Sequence, residues 1–342
     1  MMKRISLICI GAAVAIIACW QLPWLVNFVR ADRQHSPFIM YSSIAQQFIT
    51  TDNQTSTYTD DAGNSYTHEQ RDSLLPFFFW RQLMAVSRFP DSIGGRHFTP
   101  SDIQHAQFTF RSVPSDINAA YAQLYPLLES MPKHIDLELP PDVFRISGSR
   151  IEFIDMESNS INEHKSEKFT SVLQKKGFRF PAAHVAGNAT ARKEYDNGYL
   201  ITDAAGRLFQ LKMTCGRPFV RPISLADSIS ISHLFVTEFA NRQLIGMFTD
   251  SHNHLYAIEA ESYNIVKIDI PHFDPTREAI SIIGNPLDWT VCLKDETHCA
   301  YYAISAANYN CLCTKQLPNT QKPFSGLHFT STLDKFVKPR FW

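Results

Sequence analysis

Three hairpin turns recur at nearly constant spacing and constrain the fold more than any other feature of the chain. They are Thr202-Asp203-Ala204-Ala205-Gly206-Arg207-Leu208-Phe209, Thr249-Asp250-Ser251-His252-Asn253-His254-Leu255-Tyr256 and Lys294-Asp295-Glu296-Thr297-His298-Cys299-Ala300-Tyr301, their Asp residues 47 and 45 positions apart. Each opens with an Asp whose carboxylate can accept from backbone amides ahead of it. Three residues on stand Gly206, Asn253 and His298, types that tolerate the left-handed position of a three-residue hairpin loop with a bulge. The best copy, residues 233–270, holds four apolar runs at 233–239, 244–249, 254–260 and 264–270. Units of about 45 residues with four strands each are the pattern of propeller blades. A degenerate copy lies at 143–155, with Ser147-Gly148-Ser149 as its turn. A helical insertion follows it, with Ser166 as cap, Phe169, Val172 and Leu173 as the apolar stripe, and Gly177 as the stop.

The expected fold is therefore mainly β with minor α, a propeller-like body of four-stranded units over residues 143–317. Residues 36–66 and 107–139 are candidates for further blades. An open stack of β-meanders or a twisted sandwich is the alternative. The chain has only 13 Gly, few for a body built on tight turns, and no blade motif recurs beyond the turn itself.

Ahead of this body, Lys3-Arg4 precede an apolar run over residues 5–29, whose first twenty positions carry two polar side chains, Ser6 and Gln21. At about 1.5 Å per residue, twenty residues span the roughly 30 Å core of a bilayer. Trp20 and Trp24 sit late in the run, where an interfacial belt places them. The expectation is an uncleaved anchor over residues 1–30. A lipoprotein signal is the alternative, because Ile16-Ile17-Ala18-Cys19 has the form of a lipobox, although Trp20-Gln21-Leu22-Pro23-Trp24 continues apolar instead of becoming a polar tether. A cleaved signal lacks the small residues its cleavage site needs. A short basic N-terminus places that end inside and the body outside the cytoplasm. Five body cysteines without framework spacing pull the other way, towards a reducing compartment.

Residues 36–142 read as mixed α/β. Residues 57–67 form a hairpin turning at Asp61-Ala62-Gly63-Asn64. Thr67 and Gln70 match a capping box, with a second helix start at Pro76 running to about Val86. Within it, the run Phe77-Phe78-Phe79-Trp80 is read as core packing ahead of a ligand platform. Thr99 and Pro100 open another short helix. Residues 134–139 alternate as a strand, placing Asp136 and Glu138 on one face. Paired carboxylates can serve hydrolysis, but a solvated strand face is the expectation here.

Other chemistry-bearing residues meet the same test. If Asp295 pairs Cys299 across a bulged loop, Cys292 faces Tyr302, and a Cys292–Cys299 bridge is out of reach. Cys311 and Cys313 then share one strand face, so Cys215, Cys292, Cys299, Cys311 and Cys313 are expected as free packing thiols. His252 and His254 have metal-ligand spacing without a third ligand, and a surface turn is expected. No nucleophile elbow, HExxH motif, phosphate-binding loop or calcium loop is present. The net charge of −1 gives no basis for a nucleic-acid partner. No catalytic, cofactor or metal residue is assigned. The tail, residues 318–342, carries Lys322, Lys335, Lys338 and Arg340 among aromatics. It suits a membrane surface or a closing strand.

Stretches such as Ser73-Leu74-Leu75-Pro76, Arg88-Phe89-Pro90-Asp91, Phe108-Thr109-Phe110-Arg111-Ser112, Leu124-Tyr125-Pro126-Leu127-Leu128-Glu129-Ser130 and Arg192-Lys193-Glu194-Tyr195-Asp196-Asn197-Gly198-Tyr199 resemble an uncharacterised family of single-anchor bacterial membrane proteins, a domain of unknown function. Its members are often encoded beside ABC-transporter components in anaerobic gut bacteria. The resemblance implies a membrane location and a transporter partner, and it carries no catalytic residues. The expected function is a membrane-anchored, non-enzymatic binding or accessory protein. An extracytoplasmic hydrolase of glycans or peptides, or a structural envelope protein, is the alternative.

Overall fold

A computed structural model describes residues 2–30, 37–52, 55–133, 136–295, 298–318, 327–328 and 340–341. Helix α1 runs over Met2–Arg30. Its residues 4–22 have a mean hydropathy of 2.3, and none of that window is buried against the rest of the chain. At 29 residues the helix is about 43 Å long.

Strands β1 (Phe38–Ser42), β2 (Gln47–Asp52), β3 (Thr57–Thr59) and β4 (Ser65–Tyr66) form an antiparallel meander. Helices α2 (His68–Leu74), α3 (Trp80–Ala85) and α4 (Pro100–Ala106) follow, then β5 (Phe108–Ser112) and α5 (Pro114–Ile117). Strands β6 (Asp142–Ile146) and β7 (Ile151–Asp155) make a hairpin backed by α6 (Glu163–Lys175). A second meander comprises β8 (Ala182–Gly187), β9 (Tyr199–Asp203), β10 (Leu208–Thr214) and β11 (Arg217–Ile223). A third comprises β12 (Ile231–Val236), β13 (Leu244–Asp250), β14 (Leu255–Glu259) and β15 (Ile265–Lys267). The last comprises β16 (Ala279–Gly284), β17 (Asp288–Lys294), β18 (His298–Ser305) and β19 (Cys311–Pro318), with β5 added beside β16. A short pair, β20 (Leu327–His328) and β21 (Arg340–Phe341), ends the described chain. The body is thus mainly β with few helices, and among the described residues no sheet closes into a propeller ring.

The core lies between sheets rather than inside one. Phe144 and Phe153 of the β6–β7 hairpin pack with Phe169 of α6 and with Tyr199 and Phe209 of the second meander. The second meets the third through Leu200, Leu208, Ile245 and Phe248. The third meets the last through Phe235, Met247, Ile282 and Trp289. The last meets the first through Ala303, Ile39, Tyr41 and Phe48. Five units therefore stack in series, each burying apolar surface that none could bury alone. Gly246 stands at one junction, where Leu200 of the neighbouring sheet occupies the space a Cβ would need.

The recurrent turn explains how each meander is held. Gly206 has φ +77° and Asn253 φ +63°, the left-handed positions expected of three-residue loops. In each loop the leading Asp amide bonds the carbonyl four residues on, Arg207 or His254. The third loop departs from this. Asp295 N donates to His298 O, so Lys294 pairs with Cys299 and Cys292 with Tyr301. The expected register is one residue out because His298 enters β18 instead of forming the bulge. A further copy lies at Asp60, where Gly63 has φ +84° and Asp60 N bonds Asn64 O. In each case an aromatic stands six residues after the Asp: Tyr66, Phe209, Tyr256 and Tyr301. The Tyr66 hydroxyl donates to Asp60 at 2.7 Å and the Tyr256 hydroxyl to Asp250 at 3.2 Å. The aspartate thus ties the loop to the returning strand.

Other expectations need correction. The capping boxes at Thr67–Gln70 and Thr99–Asp102 are present. The second aromatic-rich helix begins at Trp80 rather than Pro76, which lies in a turn. Asn162, not Ser166, caps α6 by accepting from Lys165 N. Ser166 sits one turn inside, where its hydroxyl donates to Asn162 O and accepts from Phe153 N. Of the expected strand at 134–139, residues 136–139 are irregular, and residues 134–135 lie outside the described residues. Among the described residues of 107–139, the one named strand is β5, which extends the last sheet. The expectation for the tail falls mostly outside the described residues.

Candidate functional site

The aromatic run divides between core and surface. Phe77 is buried with Ile93 and Ile103, and Trp80 packs on that cluster. Phe79 packs on Leu75 and Met40, beneath the Arg71 guanidinium 4.4 Å from its ring. Phe78 is 43% exposed and leans on Phe38 at 5.2 Å. Phe77 and Phe78 form one wall of a cleft of about 390 Å³ between β1, β5 and β16, with Met40, Phe108 and Ile283 as its apolar lining. Gln107, Thr109 and Asn285 supply its polar groups. Gln107 is fixed by Trp80, whose indole N–H donates to its amide oxygen at 3.3 Å. Its volume, a few hundred Å³, is in the range of small-ligand pockets.

Behind this cleft, Asn285 Nδ2 donates to Asp288 Oδ1 at 2.8 Å and Ser43 Oγ to Asp288 Oδ2 at 2.5 Å. Asp288 is 1% exposed, and burial pushes its carboxyl up to about 6 against the opposing bonds from Ser43 and Asn285. A raised carboxyl favours the protonated folded state. Its contribution is fully present below the ordinary carboxyl range and is lost as pH rises through about 6. Asp288→Asn keeps the shape, since the amide can accept from Asn285 and donate to Ser43 Oγ. The variant is therefore expected to lose the wild-type decline in melting temperature between about pH 4 and pH 6. Thermal melts across that range check this, and an unchanged slope would assign the decline to another group.

A second polar centre joins the second and third meanders. Lys193 Nζ lies 2.7 Å from Asp196 Oδ1 and 2.8 Å from Glu238 Oε1, all three side chains at most 6% exposed. Ser130 Oγ donates to Asp196, while Asn197 N and Asn188 Nδ2 donate to Glu238. Every charge in this cluster has an opposite charge and further hydrogen bonds, the condition under which buried ions are tolerated. A polar cleft of about 360 Å³ borders β11, where Arg221 stacks 3.7 Å from the Tyr263 ring.

Domain of unknown function (DUF4857) matches residues 38–304. The chain belongs to the DUF4857 family. No curated protein matches it. Among solved structures it is similar to the β-propeller domain of Cps50 (Swd1) from Myceliophteria thermophila, at 9% identity and a TM-score of 0.30, covering 58% of this chain and 57% of that one. It is also similar to PorZ, a bacterial surface component of the type-IX secretion system of Porphyromonas gingivalis, at 10% identity and a TM-score of 0.26, covering 86% of this chain and 34% of that one. The chain thus spans little more than half of the first relative and about a third of the second.

In this DUF4857 body the candidates from sequence separate. Asp136 and Glu138 are exposed on irregular chain flanking buried Leu137. His254 Nδ1 lies 3.0 Å from Asp250 Oδ2, the same service that Arg207 gives Asp203. His252 stacks 6.1 Å from it. Among the described residues no group of three His, Cys, Asp or Glu could hold a metal. Cys311 and Cys313 face opposite ways, because a bulge sets Cys311 against Ile304 and Cys313 against Ala303. Cys311 packs in the cluster of Trp289 and Cys313 in that of Tyr41. The Cys292 and Cys299 sulfurs lie 3.6 Å apart, contrary to the expected register. Sequence reasoning missed Asp288 and the Lys193 cluster. The Asn-x-x-Asp turn before Trp289 was the only signal for the first.

Proposed function

We propose that the DUF4857 chain is a single-pass membrane protein with a propeller-like body outside the cytoplasm, acting as a non-enzymatic binding or accessory subunit. The observation that carries this reading is α1, apolar and exposed over residues 4–22. The helix continues past Cys19 to Arg30, which supports a spanning segment over a lipoprotein anchor. A rigid stack of sheets on such a tether presents surface to a membrane-bound partner. The cleft walled by Phe77 and Phe78 is the place proposed for a partner's apolar side chain. The resemblance noted from sequence supplies the class of partner, an ABC-type transporter. Tagged protein extracted from native membranes is expected to enrich transporter subunits over an untagged control, and Phe78→Asp to reduce that enrichment. Recovery of the tagged chain alone would discard the accessory role. The hydrolase alternative draws on Asp288, a carboxyl held near neutrality behind the same cleft. It needs a second carboxylate there, and the cleft lining offers amides and a hydroxyl.

A further inference from the structure

Cys292 on β17 and Cys299 on β18 lie on the same face of the last sheet. Cys292 is directly opposite Tyr301 and Cys299 opposite Lys294, so the two cysteines are diagonal neighbours. Diagonal positions are usually too far apart for short side chains, but here the two sulfurs approach to 3.6 Å. A disulfide bond is about 2.05 Å long, so about 1.5 Å of side-chain movement closes the gap. Both residues are half-buried.

Their surroundings separate the two thiols. The hydrogen-bond contact with Cys292 lowers the Cys299 thiol, with Tyr301 and Lys294 acting in the same direction against burial. The same contact raises Cys292, reinforced by burial. Cys299 stands directly opposite Lys294, whose cation favours a thiolate there, so Cys299 is the nucleophile and Cys292 the resolving thiol. The face they occupy also carries Tyr301, whose ring meets Phe48 of the first meander at 6.2 Å. The pair thus stands at the junction between the first and last meanders.

We propose that Cys292 and Cys299 are a dithiol–disulfide pair that a disulfide-bearing oxidant closes into an intrachain bond joining β17 to β18. The Cys299 thiolate attacks one sulfur of the oxidant, forming a mixed disulfide and releasing the first oxidant thiol. Cys292, as thiolate, then attacks Cys299 Sγ and expels the second. Two protein thiols are oxidised, one oxidant disulfide is reduced, and the two thiol protons end on the released thiols. The other body cysteines lack such a neighbour: Cys215 sits exposed in a turn, and Cys311 and Cys313 face opposite ways.

The full chain, in detergent, is treated with glutathione disulfide, denatured without reductant, alkylated and weighed intact. Of the 7 cysteines, two are expected to become unreactive with loss of two hydrogens, and peptide mapping to place the link between Cys292 and Cys299. Dithiothreitol restores full labelling. Cys292→Ser is expected to accumulate a glutathione adduct on Cys299, since the resolving thiol is gone, and Cys299→Ser to leave Cys292 largely unmodified. Full alkylation of the treated wild-type chain, a stable glutathione adduct on Cys292 or Cys299, or a link from either to any other cysteine would overturn the proposal.

Discussion

Asp203→Ala is expected to be among the most damaging single changes in the body, lowering stability by about 3 kcal/mol or more. The Asp203 side chain is fully buried and accepts from the amides of Arg179, Ala205 and Arg207 at 3.1, 2.9 and 2.9 Å. The Arg207 guanidinium adds bonds at 3.0 and 2.6 Å. Removing the carboxylate strands these donors and unties α6 from the second meander, because Arg179 lies two residues past the helix stop at Gly177. Burial works against the charge, but bonds from Arg207 and the amides hold the carboxyl below its ordinary range. A depressed carboxyl contributes stability above its unfolded pKa and loses it as pH falls through the folded value, so the wild-type advantage over Asp203→Asn should shrink in acid. Asp295→Ala is the internal comparison. That carboxylate is a third exposed, and its loss is expected to cost under about 1 kcal/mol. Thermal melts of the three variants check the ranking, and equal losses at positions 203 and 295 would refute it.

Lys193→Met is the second large effect, at about 3–5 kcal/mol. The substitution keeps most of the volume but leaves Asp196 and Glu238 buried without their shared cation. Lys193 and Asp196 belong to the loop between β8 and β9, and Glu238 follows β12, so the lysine clamps two sheets together. Glu238→Gln removes one charge and should partly relieve the Lys193→Met defect. The double variant is therefore expected to lose less than the two single losses combined. Additive losses measured by denaturant unfolding would show that the three side chains do not act as one unit.

Legibility from sequence followed the range of the interactions. The turns at Asp203 and Asp250 were readable because loop length and the left-handed residue are local matters. The turn at Asp295 slipped by one residue because long strands, not the loop, decide where β17 and β18 pair. In a strand, a one-residue slip moves every side chain to the other face, and here it hid the approach of Cys292 to Cys299. The copy at Asp60 escaped because it falls outside the 47- and 45-residue series. The Lys193 cluster was illegible for another reason. Charged residues in polar loops look solvated, and only the stacking of two sheets buries them. Phe78 reads with its neighbours as core, although a turn at Pro76 rather than a helix sends it outward.

Strand β5 has a bearing on how the chain assembles. It pairs Ser112 with Ile280 and Phe108 with Gly284, and Tyr41 N bonds Thr290 Oγ1 across 249 positions of chain. The early segments therefore complete their hydrogen bonding only after the last meander has emerged. Contacts of such long range slow folding, since the intervening loop must be closed before they form. A chain stopped before residue 279 would carry β5 as an open edge, a template for mispairing with its neighbours.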